Sequence, residues 1–287
     1  MARTKKAPRD IYQEVTDKMV AMLEAGTIPW QRPWATTAPM RMSSRTPYRG
    51  INIWLLEPGE GPGGNWWGTY DKITELGGQV RKGEKGYLAT FTRTIEKEDG
   101  EKFFMYRAHK VFNAAQADWP EGMPEHFLTV RNTEDPIAAA EAIHHGYQGR
   151  PAVIHGGSRA CYSPNQDKVM MPLPETFTTR EHYYGVLFHE LTHSTGHATR
   201  LGREGVTNPI SFGSHTYGLE ELIAEMGSAM LTGVAGIEGT FDNSAAYLAS
   251  WLDTIRESPQ MVVRAASSAQ RACDWILGVK WGEKEDS

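Results

Sequence analysis

The stretch that most constrains this chain is His189-Glu190-Leu191-Thr192-His193, a His-Glu-x-x-His pattern. On a helix, residues four apart lie on the same face, so both imidazoles can reach one cation. Two imidazoles so placed can hold Zn²⁺, and the carboxylate of Glu190 can take a proton from water there. Because a five-residue pattern is short enough to arise by chance, the flanking sequence has to support it.

The flanking residues favour a helix. Thr178 and Glu181 have the spacing of a capping box, apolar residues follow, and Gly196 is suited to the position after a helix end. His197 then falls beyond that end. We therefore expect His197 to cap the helix or to support a ligand from behind, without itself binding metal.

A protein zinc site needs at least a third ligand. Metzincins place a third histidine six residues after the second, but Thr199 stands at that position here, which excludes that class. A later stretch, Leu219–Met226, is predicted to form an amphipathic helix, and its glutamates could supply the third ligand in place of a histidine. The third ligand is therefore expected from this second helix.

We assign Glu221 as the ligand and Glu225, one turn further on, as the carboxylate that orients a metal-bound histidine. Glu220 points about 100° away from Glu221 on a helix, so it is the less favoured ligand. A solvated helix face is the competing interpretation of these glutamates. Tyr217 and His215, just before Glu221, are candidate donors to a developing oxyanion.

The chain has 287 residues, enough for two domains that each bury a core. We place the boundary in the proline- and acid-containing stretch Phe112–Glu134, which gives domains of residues 1–130 and 131–287. The pattern of short strands and amphipathic helices predicts an α+β fold in which both domains are mixed. A hairpin is predicted from Tyr87–Ile95 and Lys102–Val111, with Asp99-Gly100 as its turn. The other main predicted elements are helices at Arg9–Ala25 and from Pro136 to His145, strands at Ala152–His155, Ala160–Ser163 and Lys168–Met171, and helices at Asn243–Arg256 and Gln260–Leu277.

The composition is that of a soluble globular protein without a membrane partner. No apolar run approaches the ~20 residues that span a bilayer, and the basic residues Met1–Arg9 precede no apolar signal region. The two cysteines, Cys161 and Cys273, fit a reducing compartment. We therefore expect a cytoplasmic protein.

The net charge of −5 conceals an asymmetry between the halves. Residues up to Val111 carry 18 Lys and Arg against 13 Asp and Glu, while the remainder carries 12 against 22. A basic half with interleaved aromatic residues is typical of single-stranded DNA binding, where bases stack on rings and cations follow the phosphates. The stacking candidates are Trp30, Trp34, Tyr48, Trp66 and Trp67, and the phosphate candidates are Arg32, Arg45, Arg49, Arg81, Lys82 and Lys85. Tryptophans are more often core residues, so we expect at least half of these rings to be buried.

Several separate motifs in one order make this chain resemble the plasmid-borne antirestriction proteins of the ArdC type, over nearly its whole length. In the N-terminal half they are Pro29-Trp30 with Pro33-Trp34, Pro47–Asn52 and Gly78–Gly86. In the C-terminal half they are Tyr162-Ser163-Pro164, His189–His197 with Arg200-Leu201, Phe212-Gly213-Ser214 and Glu220–Glu225.

The resemblance implies an N-terminal domain that binds single-stranded DNA and a C-terminal zincin-like metalloprotease domain. It also implies a protein that protects incoming plasmid DNA from host restriction during conjugation, acting in the recipient. The metal expected at His189, His193 and Glu221 is Zn²⁺, with Mn²⁺ as another divalent candidate. Glu190 is expected to be the general base for hydrolysis of a peptide bond, in a protein or peptide substrate that the sequence does not identify.

Two other interpretations stay open. In one, the protein mainly coats single-stranded DNA, and its metal site is structural or vestigial. In the other, the site is a metal-dependent nuclease, which is the weaker hypothesis because no cluster of carboxylates for paired metals accompanies the histidines.

Overall fold

The computed structural model describes residues 9–31, 38–96, 102–128, 135–208, 215–237, 245–256 and 258–280. Several predicted features lie outside these ranges: Arg32, Trp34, the Asp99-Gly100 turn, the Phe212-Gly213-Ser214 motif and the His215 side chain. Among the described helices, none combines the length and the hydropathy needed to cross a lipid bilayer.

The N-terminal half mixes short helices with two sheets. Its elements are α1 (Ile11–Glu24), β1 (Met40–Arg41), α2 (Asn52–Leu55), β2 (Trp66–Gly68), α3 (Tyr70–Glu75), β3 (Gln79–Val80), β4 (Tyr87–Glu96), β5 (Lys102–Asn113) and β6 (Ala117–Asp118). One sheet has the order β1-β2-β5-β4, and β3 pairs with β6. The predicted hairpin is confirmed, with β4 and β5 paired antiparallel from Tyr87↔Val111 to Glu96↔Lys102.

The C-terminal half sets helices around a small sheet. Its elements are α4 (Pro136–Gly146), β7 (Ala152–His155), β8 (Cys161–Ser163), β9 (Lys168–Met171), α5 (Arg180–Ser194), α6 (Glu204–Thr207), α7 (His215–Ala235), α8 (Ala245–Arg256) and α9 (Met261–Leu277). The sheet order is β7-β9-β8, with β7 parallel and β8 antiparallel to β9. Both halves are mixed, so the predicted α+β class is confirmed.

Local sequence signals place the helix starts. Asp10 caps α1 by accepting a hydrogen bond from the Gln13 amide at 3.1 Å, and Asp135 caps α4 in the same way. The cap of α5 differs from the prediction. Thr179, not Thr178, accepts from the His182 amide at 3.1 Å, so the helix begins at Arg180 and no capping box with Glu181 forms.

The end of α5 also differs from the prediction. The helix ends at Ser194 with Thr195 at its C-cap, and Gly196 follows without a left-handed conformation. Gly196 is instead required by close packing, since a Cβ there would lie 2.5 Å from Cγ2 of Val206. The glycine thus lets α6 approach the end of the metal-binding helix.

One hydrophobic cluster contains side chains from both halves, whereas two smaller clusters, around Trp66 and around Trp67, lie within the N-terminal half. The core cluster runs from Val15 and Met19 of α1 and Leu55 of α2 to Leu187 of α5 and Ala265 of α9. Polar contacts cross the same junction, such as the hydrogen bond from the Thr16 hydroxyl to the Pro259 carbonyl at 2.7 Å. The apolar stripe of α1 therefore has its partners in the C-terminal helices, and this cluster crosses the predicted boundary near residue 130.

Small residues allow α5 and α7 to cross closely. Gly227 of α7 faces Thr192 of α5 so tightly that a Cβ on Gly227 would lie 2.5 Å from Cγ2 of Thr192. The buried hydroxyl of Ser228 donates to the carbonyl oxygen of Gly185 at 2.7 Å. These contacts fix the position of one helix against the other, and with it the position of every side chain that α7 directs toward α5.

Gly227→Ala should therefore destabilise the protein. Alanine gains about 1 kcal/mol of helix propensity, but overpacking a tight contact typically costs about 1–3 kcal/mol and forces the helices apart. We expect a lower free energy of unfolding in urea. The matched control is Gly146→Ala, at the last residue of α4, where a Cβ meets nothing within 4 Å. Equal stability of Gly227→Ala and wild type would contradict the packing account.

Candidate metal centre

The helix α5 brings His189 and His193 together as the spacing predicts. Their Nε2 atoms lie 3.1 Å apart, and the two rings are nearly perpendicular with centroids 4.8 Å apart. Both side chains are only partly exposed, at 20% and 14%. Two imidazole nitrogens therefore converge on one point beside the helix.

Glu221 of α7 faces the same point. Its carboxylate oxygens lie 3.6 Å from Nε2 of His189 and 3.6 Å from Nε2 of His193, and one ligand atom from each of the three residues lies within 4.8 Å of the others. Ligand bonds of about 2.0–2.1 Å in tetrahedral geometry separate ligand atoms by roughly 3.3 Å. The three side chains therefore fit a single divalent metal ion with little adjustment.

The second nitrogen of each ring faces a further carboxylate. Nδ1 of His193 lies 3.1 Å from Oε1 of Glu220, and Nδ1 of His189 lies 3.8 Å from Oε1 of Glu225. A carboxylate at Nδ1 favours the proton on that atom and leaves the Nε2 lone pair for a metal. The position of Glu225 agrees with the sequence analysis, whereas the role of Glu220 was missed because it was considered only as a ligand.

Arg203 holds Glu220 in place, and the sequence analysis did not single it out. Its guanidinium donates to both oxygens of Glu220, at 2.9 and 2.6 Å, and also to the Thr195 hydroxyl and the Thr192 carbonyl at the end of α5. Burial would raise the pKa of Glu220, but the contacts with Arg203 and His193 outweigh it and lower the pKa. No spacing rule links an arginine in the turn before α6 to a glutamate on α7, so the sequence carried no signal for this contact.

The negative charges around His189 change its protonation. Burial alone would lower the pKa of His189, but the hydrogen bond with Glu221 and the charges of Glu225 and Glu190 outweigh burial and raise the pKa to about 9. His189 therefore carries a proton at neutral pH when no metal is bound. A metal ion has to displace that proton, so metal affinity falls as the pH is lowered.

Glu190 and Tyr217 complete the site. Glu190 is 92% buried, and its charge contributes to raising the pKa of both His189 and Tyr217. Tyr217 lies one turn before Glu221 and hydrogen-bonds its carboxylate; burial, then the charge of Glu221, raises the pKa of the phenol. The phenol thus keeps its proton at neutral pH and remains a hydrogen-bond donor.

His197 lies in the turn after α5. Its Nδ1 contacts the Thr199 hydroxyl at 2.9 Å, and its carbonyl oxygen accepts the Arg200 amide at 2.9 Å. His197 is therefore part of the turn that follows the helix, and the described contacts of its ring are with that turn.

Four of the five rings considered for stacking are core residues, which confirms the expectation that at least half are buried and makes the stacking assignment of these four wrong. The structure buries Trp30, Tyr48, Trp66 and Trp67, which expose 2%, 6%, 8% and 1% of their surface. Trp30 packs edge-on against Trp251 at 5.7 Å, and Trp66 stacks on Phe127 at 4.7 Å. A base needs a free ring face to stack on, so these four side chains serve packing.

The predicted phosphate contacts divide into two groups. Arg49 pairs with Asp274 of α9, and Arg81 donates to the backbone oxygens of Ala115 and Ala117 and pairs with Glu84. These two arginines have structural partners. The side chains of Arg45, Lys82 and Lys85 are exposed and stay candidates for binding phosphate.

Two family models match the chain. Residues 9–124 match the N-terminal domain of the anti-restriction factor ArdC, and residues 139–268 match a zincin-like metallopeptidase domain. Together these matches cover both halves.

Solved structures of the antirestriction ArdC protein from the R388 plasmid resemble the whole chain. The metal-free structure is 38% identical with a TM-score of 0.75, covering 93% of this chain and 97% of that one. The Mn(II)-bound structure is 37% identical with a TM-score of 0.76, covering 94% and 98%. The matching protein thus binds a divalent metal in one of its structures.

Curated relatives extend the comparison. Protein y4eC of Sinorhizobium fredii is 35% identical over 96% of this chain and 94% of its own length. Two proteins named DNA primase TraC from Escherichia coli are 32% and 31% identical over 94% and 96% of this chain. The chain spans only 20% and 28% of the length of those primases.

Arg203→Ala should weaken metal binding without removing any ligand. Loss of the guanidinium leaves the buried Glu220 carboxylate without its charge partner, so His193 is no longer held in place; such changes typically cost 10–100-fold in affinity. A competition titration with a chromophoric chelator measures this. Glu220→Gln tests the same contact at constant side-chain size.

The matched control for that titration is Arg180→Ala. Arg180 is the first residue of α5, and the substitution removes its exposed ion pair with Glu141, outside the metal centre. Because exposed pairs contribute little, its metal affinity should equal that of wild type. Wild-type affinity in both Arg203→Ala and Glu220→Gln would show that these residues do not support the site.

Proposed function

Because this chain belongs to the ArdC-type antirestriction family, we propose that it is a two-function protein whose N-terminal half binds single-stranded DNA and whose C-terminal half is a metal-dependent peptidase. In this proposal it protects incoming plasmid DNA from restriction during conjugation and acts in the cytoplasm of the recipient cell. The peptidase part rests on one observation above all: His189, His193 and Glu221 converge, with Glu190 buried beside them.

Three residues would hold the metal ion, namely His189, His193 and Glu221. Two imidazoles and one carboxylate favour Zn²⁺, while the Mn(II)-bound relative makes Mn²⁺ the second candidate. When bound, the ion supplies Lewis-acid chemistry: it polarises a carbonyl group and makes water easier to deprotonate.

The protein side chains supply the proton transfers. Glu190 is the general base that takes a proton from the attacking water, and it then donates that proton to the amine that leaves. Tyr217 keeps its phenolic proton, and by turning from the Glu221 carboxylate it can donate its hydrogen bond to the oxyanion that develops on the substrate. His215 is the second candidate for that donor role.

An extended peptide could be held by pairing with an edge strand. The sheet order β7-β9-β8 puts β9 in the middle, so β8 and β7 carry the free edges among the described strands. The two strands predicted just before the metal-binding helix correspond to β8 and β9. Because β9 is the central strand, only β8 of these two can pair with a peptide. Main-chain pairing would bind many sequences, which suits a peptidase that acts on unfolded segments.

Glu190→Gln should abolish hydrolysis and leave metal bound. The substitution keeps the size of the side chain but removes the base, and loss of a general base typically lowers the rate by 10²–10⁴-fold. Cleavage of unfolded casein, measured alongside metal content, tests this. The matched control is Glu181→Gln, which removes a carboxylate from the first turn of the same helix and should cleave as wild type does.

Two outcomes would contradict the peptidase proposal. Loss of metal with cleavage retained would show that Glu190 is not the base. A wild-type protein that binds metal yet cleaves no unfolded substrate would favour the alternative, in which the protein coats single-stranded DNA and the metal site is structural.

The DNA-binding half should prefer single strands over duplex. Binding of labelled oligonucleotides to the full chain should weaken with added salt, with a log–log slope of about −0.7 per phosphate neutralised. The full chain is the right sample because the two halves share a core. Equal affinity for single strands and duplex would contradict a binding mode based on stacking.

A further inference from the structure

One face of the β4–β5 hairpin presents side chains that no predicted site includes. Side chains alternate between the faces of a strand, and the pairing puts Phe91 opposite Arg107, Ala89 opposite His109 and Arg93 opposite Met105. Phe91, Arg93, Met105, Arg107 and His109 therefore share one face, which we call the Phe91 face.

Phe91 is an exposed aromatic ring on a sheet. Phe91 exposes 41% of its surface, and its ring contacts the ring of His109, with centroids 5.2 Å apart and ring planes at 56°. Burial, and then the nearby charge of Arg41, lowers the pKa of His109, so this neighbour is an uncharged ring at neutral pH. One side of the Phe91 ring thus contacts His109 and another side is exposed to solvent. Stacking on a base requires such an exposed ring face.

Cations flank this ring without carboxylate partners. Arg93 and Arg107 are exposed, and among the described residues neither side chain forms an ion pair, a hydrogen bond or a ring contact. Arg107 is directly opposite Phe91, and Arg93 lies two residues along the strand, about 7 Å away. The acidic residue of the two strands, Glu96, lies opposite Lys102 in the strand register and belongs to the other face. The charged side chains of these strands on the Phe91 face are therefore arginines.

The same face extends toward β1. Register places Arg41 beside Trp67 and Trp67 beside Asn113, so Arg41 lies on the same side of the sheet as His109. Its guanidinium covers the ring of the buried Tyr48 at 4.8 Å. Two of the aromatic residues that the sequence suggested for stacking, Tyr48 and Trp67, thus pack beneath one end of this face with Ala89 and Val111. The exposed ring further along the face is Phe91.

We propose that single-stranded DNA lies along the Phe91 face, with one base stacked on Phe91 and the neighbouring phosphates bound by Arg93 and Arg107. The inference rests on the proposed single-strand binding and names the surface that performs it. Two arginines without carboxylate partners favour binding of a polyanion. The exposed ring of Phe91 favours unpaired bases, because bases in a duplex are already stacked on each other.

The test measures binding of a labelled 20-nucleotide oligothymidylate to the full chain. Phe91→Ala should bind about tenfold more weakly, and Phe91→Trp should bind as well as wild type or better. Phe91→Leu keeps an apolar side chain of similar exposure, so its weaker binding would be due to the lost ring and not to misfolding. Arg107→Gln should lower the affinity and reduce the log–log salt slope by about 0.7.

Two matched controls lie on the other side of the sheet: Tyr70, the first residue of α3, which packs against β5, and Lys110 of β5 itself. Tyr70 is an aromatic residue that is 50% exposed and contacts Phe112, and Lys110 is an exposed cation three residues from Arg107 on β5. Tyr70→Ala and Lys110→Gln should each bind within about twofold of wild type.

The outcomes separate this inference from the proposed function. If wild type binds the oligonucleotide and the Phe91 and Arg107 variants bind equally well, the surface is wrong while single-strand binding stands. If the control variants lose affinity as strongly as the Phe91 and Arg107 variants, the surface assignment is also wrong. If wild type does not bind single strands, the proposed DNA-binding function fails and this inference fails with it.

Discussion

The close crossing of α5 and α7 is the constraint on which the metal centre depends. The two histidines come from one helix and Glu221 from the other, so their convergence requires the axes to approach at a fixed distance and rotation. Gly227 against Thr192 and the hydrogen bond from Ser228 to Gly185 set both. A helix pair separated by ordinary side chains would hold the carboxylate too far from the imidazoles to share one ion.

Charge balance explains why so many carboxylates can be buried around this crossing. An ionised group taken from water is costly unless it is paired and hydrogen-bonded. Glu220 is paired with Arg203 and His193, whereas Glu221, Glu225 and Glu190 act together on His189 and raise its pKa to about 9. A bound divalent cation replaces that proton, so the same carboxylates that protonate the ring without metal neutralise the ion when it is present.

The shared core joins the proposed DNA-binding half to this centre. Helix α1 buries its apolar stripe against C-terminal helices, Arg49 pairs with Asp274 of α9, and Trp30 packs on Trp251 of α8. The metal centre and the sheet that carries the Phe91 face are therefore parts of one packed body. If both proposed functions hold, a substrate protein near bound DNA would meet the proposed peptidase site at a distance set by packing and not by a flexible linker.

Sequence alone determined the features that follow from local periodicity. The His-Glu-x-x-His spacing placed the two imidazoles together, the i to i+4 spacing placed Glu221 with Glu225, and the Asp99-Gly100 turn between two strand-forming runs predicted the hairpin of β4 with β5. The tertiary structure decided the rest: Arg203 as the partner of Glu220, the core that crosses the predicted boundary, and the burial of Trp30, Tyr48, Trp66 and Trp67. The physical reason is that periodicity shows which side chains share a face of one helix or strand, whereas partners and burial depend on which other elements pack against that face.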